Sequence, residues 1–457
     1  MTLFNRQNLA LLIPLIFSLV AAPLARADVY FVAPPQQKGD SLRVSTDPLG
    51  SETNPFASLD EALSAASTRA SNAAGGSNIQ LLAGDYGDLR IKDAQFDQPV
   101  TIAAAPDKTS ATGIAAVHLT LLTVLKSHNL ILADLQVWPD TPSGDISRHL
   151  VSTDAKSTNI TFLRLDVRSR LDAATYPNWT KSDWETWHRA GLILNGADSV
   201  VADSRFTGLS FGIITSGARA RVEGNIVQGF SGDAMRGLGD GSVFRANRVE
   251  DCVQINKNHA DGFQSWSRSP DRGAGTGTVR GLIIEGNVFR EWTQAKDNPL
   301  RCSLQGIGMF DGMYEDILIQ NNTVSVSAYH GISVAGGINV KIVNNTLVNA
   351  RVSGKKQPWI SVSPHKKGAL SEHVIVANNI TPRIRFGTSM PGPTIIQSQN
   401  LIAIYPAHVL VLPFDGDFHP QAGSAAVDAA DPAYAPARDI AGQSRGNRPD
   451  IGAWELP

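Results

Sequence analysis

The chain has 457 residues, with 40 Lys and Arg against 42 Asp and Glu and a formal net charge of -2 at pH 7. That length allows a large core. The near-balanced charge gives no pull toward nucleic acid or an anionic membrane surface, so a nucleic-acid partner is not expected.

The first 27 residues read as a secretory signal peptide. Arg6 supplies a positive start, Leu9 to Ala22 an apolar run, and Ala25-Arg26-Ala27 a small-x-small cleavage site. The apolar run is shorter than the ~20 residues that span a bilayer, and no later stretch is apolar enough to do so. The mature chain is expected to start at Asp28 and to be periplasmic or secreted, monomeric, and not inserted in a membrane. Residues 28–75 contain a strand, Val29-Tyr30-Phe31-Val32, and an amphipathic helix after Pro55-Phe56-Ala57. Ser58 is its N-cap, Glu61 stands at the capping-box position, and Leu59, Ala62, Leu63 and Ala66 form the apolar stripe. Such a helix plugs the open end of a stack of strands.

From Ile79 onward the chain repeats. An apolar residue, two others, Asn and a further apolar stretch recur at Asn225, Asn247, Asn287, Asn322, Asn345 and Asn379, at steps of 22, 40, 35, 23 and 34 residues. The longer steps look like the short one plus an insertion, and Ser204 continues the series with weaker chemistry. A second ladder places Leu192, Ile213, Met235, Phe263, Ile307 and Ile332 directly after a Gly or Ala. Short alternating strands between turns at such a repeat bury themselves only by stacking as coils. The step is too short for a propeller blade of ~40 residues. Cys252 and Cys302 fit either a bridge between neighbouring coils or two buried thiols, and export permits the bridge.

The columns beside the apolar one carry the chemistry. Two residues past the Gly or Ala they read Ile193, Ile214, Arg236, Gln264, Gly308 and Ser333, which points outward. Four past it they give Trp266 and Phe310, a platform for a sugar ring. One residue before it they read Ala190, Phe211, Asp233, Asp261, Gln305 and His330. This last column is polar only from the middle coils onward, and is read as a strand corner aimed into a groove, with buried groups tied to turn amides as the alternative. Lys257 and His259 enter the same strand as Asp261. Two insertions flank these coils. Leu171 to Arg189 carries Tyr176, Trp179, Trp184 and Trp187, and Arg290 to Ser303 carries Lys296 and Arg301. Each is expected to wall the groove, with covering of the core as the alternative.

Over most of residues 76–395 the repeated coil resembles the pectin-lyase-like superfamily. The resemblance implies an all-β fold: a single-stranded right-handed parallel β-helix, a three-sheet solenoid with an N-terminal capping helix. It also implies asparagine amides hydrogen-bonded up the stack at one turn. Residues 396–457, with Asp439-Ile440-Ala441-Gly442 and Arg448-Pro449-Asp450-Ile451-Gly452, look like a closing segment of secreted β-helix proteins. Many such proteins cleave or epimerise acidic polysaccharides, beginning with removal of the proton at C5 of a uronate. Asn258-His259-Ala260-Asp261 is loosely similar to the Asp-Pro-His-Asp motif of alginate C5-epimerases. His259-Ala260-Asp261-Gly262 and Tyr329-His330-Gly331-Ile332-Ser333 are similar to two motifs of polygalacturonase-type hydrolases, but Leu304-Gln305-Gly306 stands where their acidic pair belongs.

The expectation is therefore a polysaccharide lyase acting on a uronate-containing polymer by β-elimination. A C5-epimerase or a polygalacturonase-like hydrolase is the alternative, and a non-catalytic polysaccharide-binding or export protein the alternative of another class. His259 is expected as base, with Lys257 a second candidate. Arg236 with Gln264 is expected to bind the carboxylate, His330 or Tyr329 to act as acid, and Asp261 and Asp233 to tune them. Trp266, Gln305 and Arg301 complete the substrate contacts. No dense acidic cluster marks a calcium site, yet a solenoid draws ligands from separate coils, so Ca²⁺ stays open as a cofactor.

Overall fold

Each coil is closed by a corner that two residues encode. The computed structural model describes residues 28–456 except 36–45, 71–75, 108, 112, 143–144, 146, 268–272, 352–355 and 388–393; the expected signal peptide lies outside the described residues. Gly224, Ala246, Gly286, Asn321, Asn344 and Asn378, each preceding a ladder Asn, have φ of 66°, 54°, 65°, 53°, 51° and 57°. Gly and Asn adopt this left-handed conformation at least cost. The recurring Gly-Asn and Asn-Asn pairs are therefore corner chemistry, with Ala246 the exception.

The ladder side chains are buried and run up the stack. Asn287 Nδ2 donates to the Phe244 carbonyl at 2.9 Å and to Asn322 Oδ1 at 3.0 Å. Its own Oδ1 accepts from the backbone N and Nδ2 of Asn247 at 3.0 and 2.9 Å. The ladder reaches Asn400 at one end, and Ser204 N joins Asn225 Oδ1 at the other. Asn287→Ala leaves buried donors and an acceptor without partners. It is expected to cost about 2–3 kcal/mol, measured by denaturant unfolding.

Repeating this corner builds three sheets of 14, 11 and 12 strands, all parallel within. The first runs from Val29–Val32 to Ile395–Ser398, the second from Asp88–Lys92 to Ile384–Phe386, and the third from Gly84–Asp85 to Leu401–Ile402. The chain is a three-sheet right-handed parallel β-helix. The asparagine ladder lies between the first and third sheets. The helix Leu59–Ala70 buries Leu59, Ala62, Leu63 and Ala66 in the main core. Ser58 Oγ accepts Glu61 N at 3.3 Å, while the Glu61 carboxylate returns to Ala57 N at 3.1 Å, one residue earlier than a capping box places it. Among the described residues no helix is long and apolar enough to cross a membrane.

The predicted core column is in register along the second sheet: Leu192, Ile213, Met235, Phe263, Ile307 and Ile332 are successive partners, each 0% exposed. The neighbouring outward column extends well past the expected six residues. It reads Arg90, Thr123, Ser152, Ile193, Ile214, Arg236, Gln264, Gly308, Ser333, Ser361 and Arg385. This face is the groove floor.

Most of the two insertions lies over the third sheet instead, and only the end of the second, at Cys302 and Ser303, reaches the cleft described below. Tyr176, Trp179 and Trp184 are buried with Val253 and Ile255, and Trp292 and Leu300 of the second insertion pack against them. The rings sit over third-sheet glycines: a Cβ at Gly208 would lie 2.9 Å from Trp179, and one at Gly229 2.6 Å from Tyr176. Covering apolar rings there removes them from water, which an exposed wall would not. Cys252 and Cys302 form a disulfide that ties the second insertion to the third sheet. Arg301 is likewise structural. It pairs with the fully buried Glu291 at 2.8 Å, with Asp297 at 3.4 Å, and bonds the Ala350 carbonyl. Arg301→Ala is expected to lower stability by about 1–3 kcal/mol and to leave KM unchanged, in paired thermal-melt and kinetic measurements. The closing segment docks along the ladder corner, with Gly452 N bonded to the Asn378 carbonyl at 2.8 Å and Ala453 N to Thr346 Oγ1 at 2.9 Å.

Candidate active site

At mid-sheet, two carboxylates and a guanidinium form a buried network. Asp233 and Asp261 are only 2% and 1% exposed, so the expectation that both point into the groove is corrected. Asp233 Oδ1 accepts the backbone N–H of Asp261 at 3.1 Å, and its Oδ2 lies 2.6 Å from the Arg236 guanidinium. The side chains that cover the two acids, Arg236 and Gln264, belong to the outward column. Gln264 Nε2 donates to Asp261 Oδ2 at 3.0 Å, while Asp261 Oδ1 has no hydrogen-bond partner. Burial pushes the Asp261 carboxyl well up, the neighbouring Asp233 adds to this, and Arg236 and Gln264 oppose it. Burial raises Asp233 as well, against the pull of Arg236.

Arg236 is held on three sides. Its guanidinium carbon lies 4.0 Å from the Phe211 ring centroid and 5.0 Å from that of Trp266. Arg236 and Gln264 thus serve the buried acids first. Trp266 and Phe310 do not share a column, because a bulge after Ser265 pairs Trp266 with Asp311. Phe310 instead folds over Gly308. A Cβ at that glycine would lie 2.5 Å from the ring and 2.9 Å from Asp261 Oδ1, so a side chain there would displace one or the other.

One to two coils further on, a cleft of about 450 Å³ opens at the strand entrance. His259, Gln305, Tyr329, His330 and Lys356 line it, with Gln254, Asn258 and Ser303. His330 is the most firmly oriented. Its Nδ1 pairs with Ser333 Oγ at 2.9 Å, and its ring meets Phe310 and Trp359 edge-on, with centroids at 4.7 and 5.4 Å. Burial lowers its pKa, and the cation Arg385 and then His259 lower it further, so the neutral imidazole is favoured. His259 is exposed across the cleft. Lys257 is exposed too and stands outside the cleft lining.

Lys356, Trp359 and Arg385 escaped the sequence analysis. The Gly/Ala marker ends at Gly331. The next coil has Pro358-Trp359-Ile360, and a register shift puts Trp359 opposite His330. Following the outward column past Ser333 would have found Ser361 and Arg385.

The cleft's described lining holds no carboxylate. Calcium takes carboxylate and carbonyl oxygens, so this donor set does not fit it as a resident ion. Asp85, His118 and Asp140 lie close enough together to share a cation, but they stand outside the cleft, near the N-terminal end.

No protein-family model and no curated protein sequence matches the chain. Several solved structures are similar to it at low identity, three of them as follows. A pectate lyase, Pel9A, is 16% identical with a TM-score of 0.47, covering 95% of this chain and 98% of that one. A lacto-N-biosidase from Eubacterium ramulus is 10% identical with a TM-score of 0.43, covering 82% and 67%. The A-module of the Azotobacter vinelandii mannuronan C-5 epimerase AlgE4 is 14% identical with a TM-score of 0.38, covering 75% and 91%. The three names describe different reactions, and none is transferred to this chain.

Proposed function

We propose that the chain is an exported polysaccharide lyase that cleaves a uronate-containing polymer by β-elimination in the cleft between His259 and His330. The observation that carries this is the cleft's content: an oriented, neutral imidazole beside a second imidazole, an amide and an ammonium, with no carboxylate in the described lining. Elimination needs a base for the C5 proton and positive or amide donors for the carboxylate, whose charge grows as the carbanion forms.

His330 takes the C5 proton through Nε2, because Nδ1 is engaged with Ser333. Lys356 and Gln305 hold the uronate carboxylate. His259 or Tyr329 gives a proton to the departing 4-oxygen. This exchanges the roles first expected of the two histidines, since His330 is the one held in place. Arg236, Gln264 and Asp261 support the floor from below.

Hydrolysis is less favoured. It uses an acid and a base at about 5–9.5 Å across the scissile bond, and Asp233 and Asp261 are instead buried and engaged with Arg236 and Gln264. The test is incubation with a panel of polyuronates and neutral glycans. Unsaturated-product absorbance with a polyuronate alone is expected. The absence of unsaturated product from every polymer in the panel, with or without new C5 stereochemistry, would overturn the proposal.

A further inference from the structure

Exposed arginines on this solenoid are mostly matched by acids on the adjacent coil. Arg164–Asp134, Arg219–Asp198, Arg245–Glu285 and Arg280–Glu315 pair at 2.6 to 2.9 Å. Lys356, Arg383 and Arg385 depart from this. All three are exposed, and among the described residues none has a carboxylate within ion-pair distance. They gather instead around two aromatic rings. Tyr329 and Trp359 stack with centroids 5.0 Å apart and planes 16° apart. Lys356 Nζ lies 5.2 Å from the Tyr329 centroid, and the Arg385 and Arg383 guanidinium carbons lie 5.2 and 5.9 Å from that of Trp359. Three cations left together without counter-charges repel one another unless an anion joins them. Arg385 also ends the outward column, five strand steps from Arg236, or roughly 24 Å at ~4.8 Å per step.

We infer that Arg383 and Arg385, with Trp359, form an anion-binding shelf beside the cleft that holds the acidic group of a flanking sugar, while Lys356 and Tyr329 face the cleft itself. The shelf rests on the proposal that the groove takes a polysaccharide. It makes the enzyme select chains that carry charge on sugars next to the one attacked. A ring lies against Trp359 while the guanidinium forks bond its oxyanion. A uronate carboxylate and a sugar sulfate ester share that chemistry.

The test is calorimetric binding of oligouronates, sulfated oligosaccharides and neutral oligosaccharides of equal length to wild type and to Arg383→Gln/Arg385→Gln. Glutamine keeps part of each stem, and a thermal melt checks the fold. The double variant is expected to bind the oligouronate about tenfold or more weakly, the loss of one or two charge-assisted hydrogen bonds, with neutral sugars unaffected. With Arg385 gone, the acid limb of the pH–rate profile should also move up toward that of an ordinary imidazole. Oligouronate binding that the variant retains in full overturns the shelf and leaves the lyase proposal standing. Binding of the sulfated chain alone, with the same loss in the variant, keeps the shelf and overturns the uronate assignment. No binding of any anionic chain by wild type overturns both.

Discussion

His330→Ala is expected to lower turnover on the polyuronate by about 10²–10⁴-fold, the range a positioned proton acceptor contributes, with little change in KM. The ring is fixed by Ser333 on one nitrogen and by Phe310 and Trp359 on its edges. Such an imidazole needs no reorientation to meet a C5 proton. Its environment also selects the competent form. Burial, Arg385 and His259 all lower its pKa, and a lowered pKa keeps the base deprotonated at more acid pH. The acid limb of kcat/KM should therefore fall below the ordinary imidazole value of about 6.5. Paired kinetics of His330→Ala and His259→Ala decide between the two histidines. Loss in the second and not the first would return the base to His259.

Substitutions at the two buried acids should act in opposite directions. Asp233→Ala removes the carboxylate that pairs with Arg236, its sole ion-pair partner among the described residues, and the acceptor of the Asp261 N–H. Leaving a largely buried guanidinium uncompensated costs about 3–5 kcal/mol. Asp261→Asn removes a carboxyl that burial and Asp233 already hold well above its ordinary pKa. It should be neutral or stabilising at pH 7.

The sign follows from linkage. A carboxyl with a raised folded pKa binds more protons folded than unfolded. Its penalty is absent below the unfolded pKa of about 3.9 and grows as pH rises toward and through the folded pKa. Denaturant melts should show Asp261→Asn gaining stability relative to wild type as pH rises from about 4 toward neutrality. A destabilised Asp261→Asn with an unchanged pH profile would contradict this account of the network.

The solenoid was legible because its signals repeat. The ladder side chain bonds the coils on either side, so a buried Asn recurs and its column stands out, and a Gly-marked apolar residue recurs once per coil. Register followed to the residue for Leu192 through Ile332. The site was legible in part. Gln305, Tyr329, His330 and His259 meet at one cleft, although 71 residues separate His259 from His330 in the chain.

What escaped depended on local departures from the repeat. The bulge after Ser265 moved Trp266 out of line with Phe310, and Pro358 hid the coil carrying Lys356 and Trp359, and with it the next, which carries Arg385. Burial of Asp233 and Asp261 comes with bonds to Arg236 and Gln264 three residues on and one bond across coils, which strand alternation does not encode. The aromatic insertion went to the third sheet because Gly208 and Gly229 make room for its rings there. That pairing of distant residues has no periodic signature.

The measurement that bears most directly on elimination at this cleft is proton NMR of a polyuronate after incubation with wild type and His330→Ala. The account predicts new signals from unsaturated non-reducing ends with wild type and their near absence with the variant. Saturated ends alone, or unsaturated ends formed equally by both proteins, would contradict it.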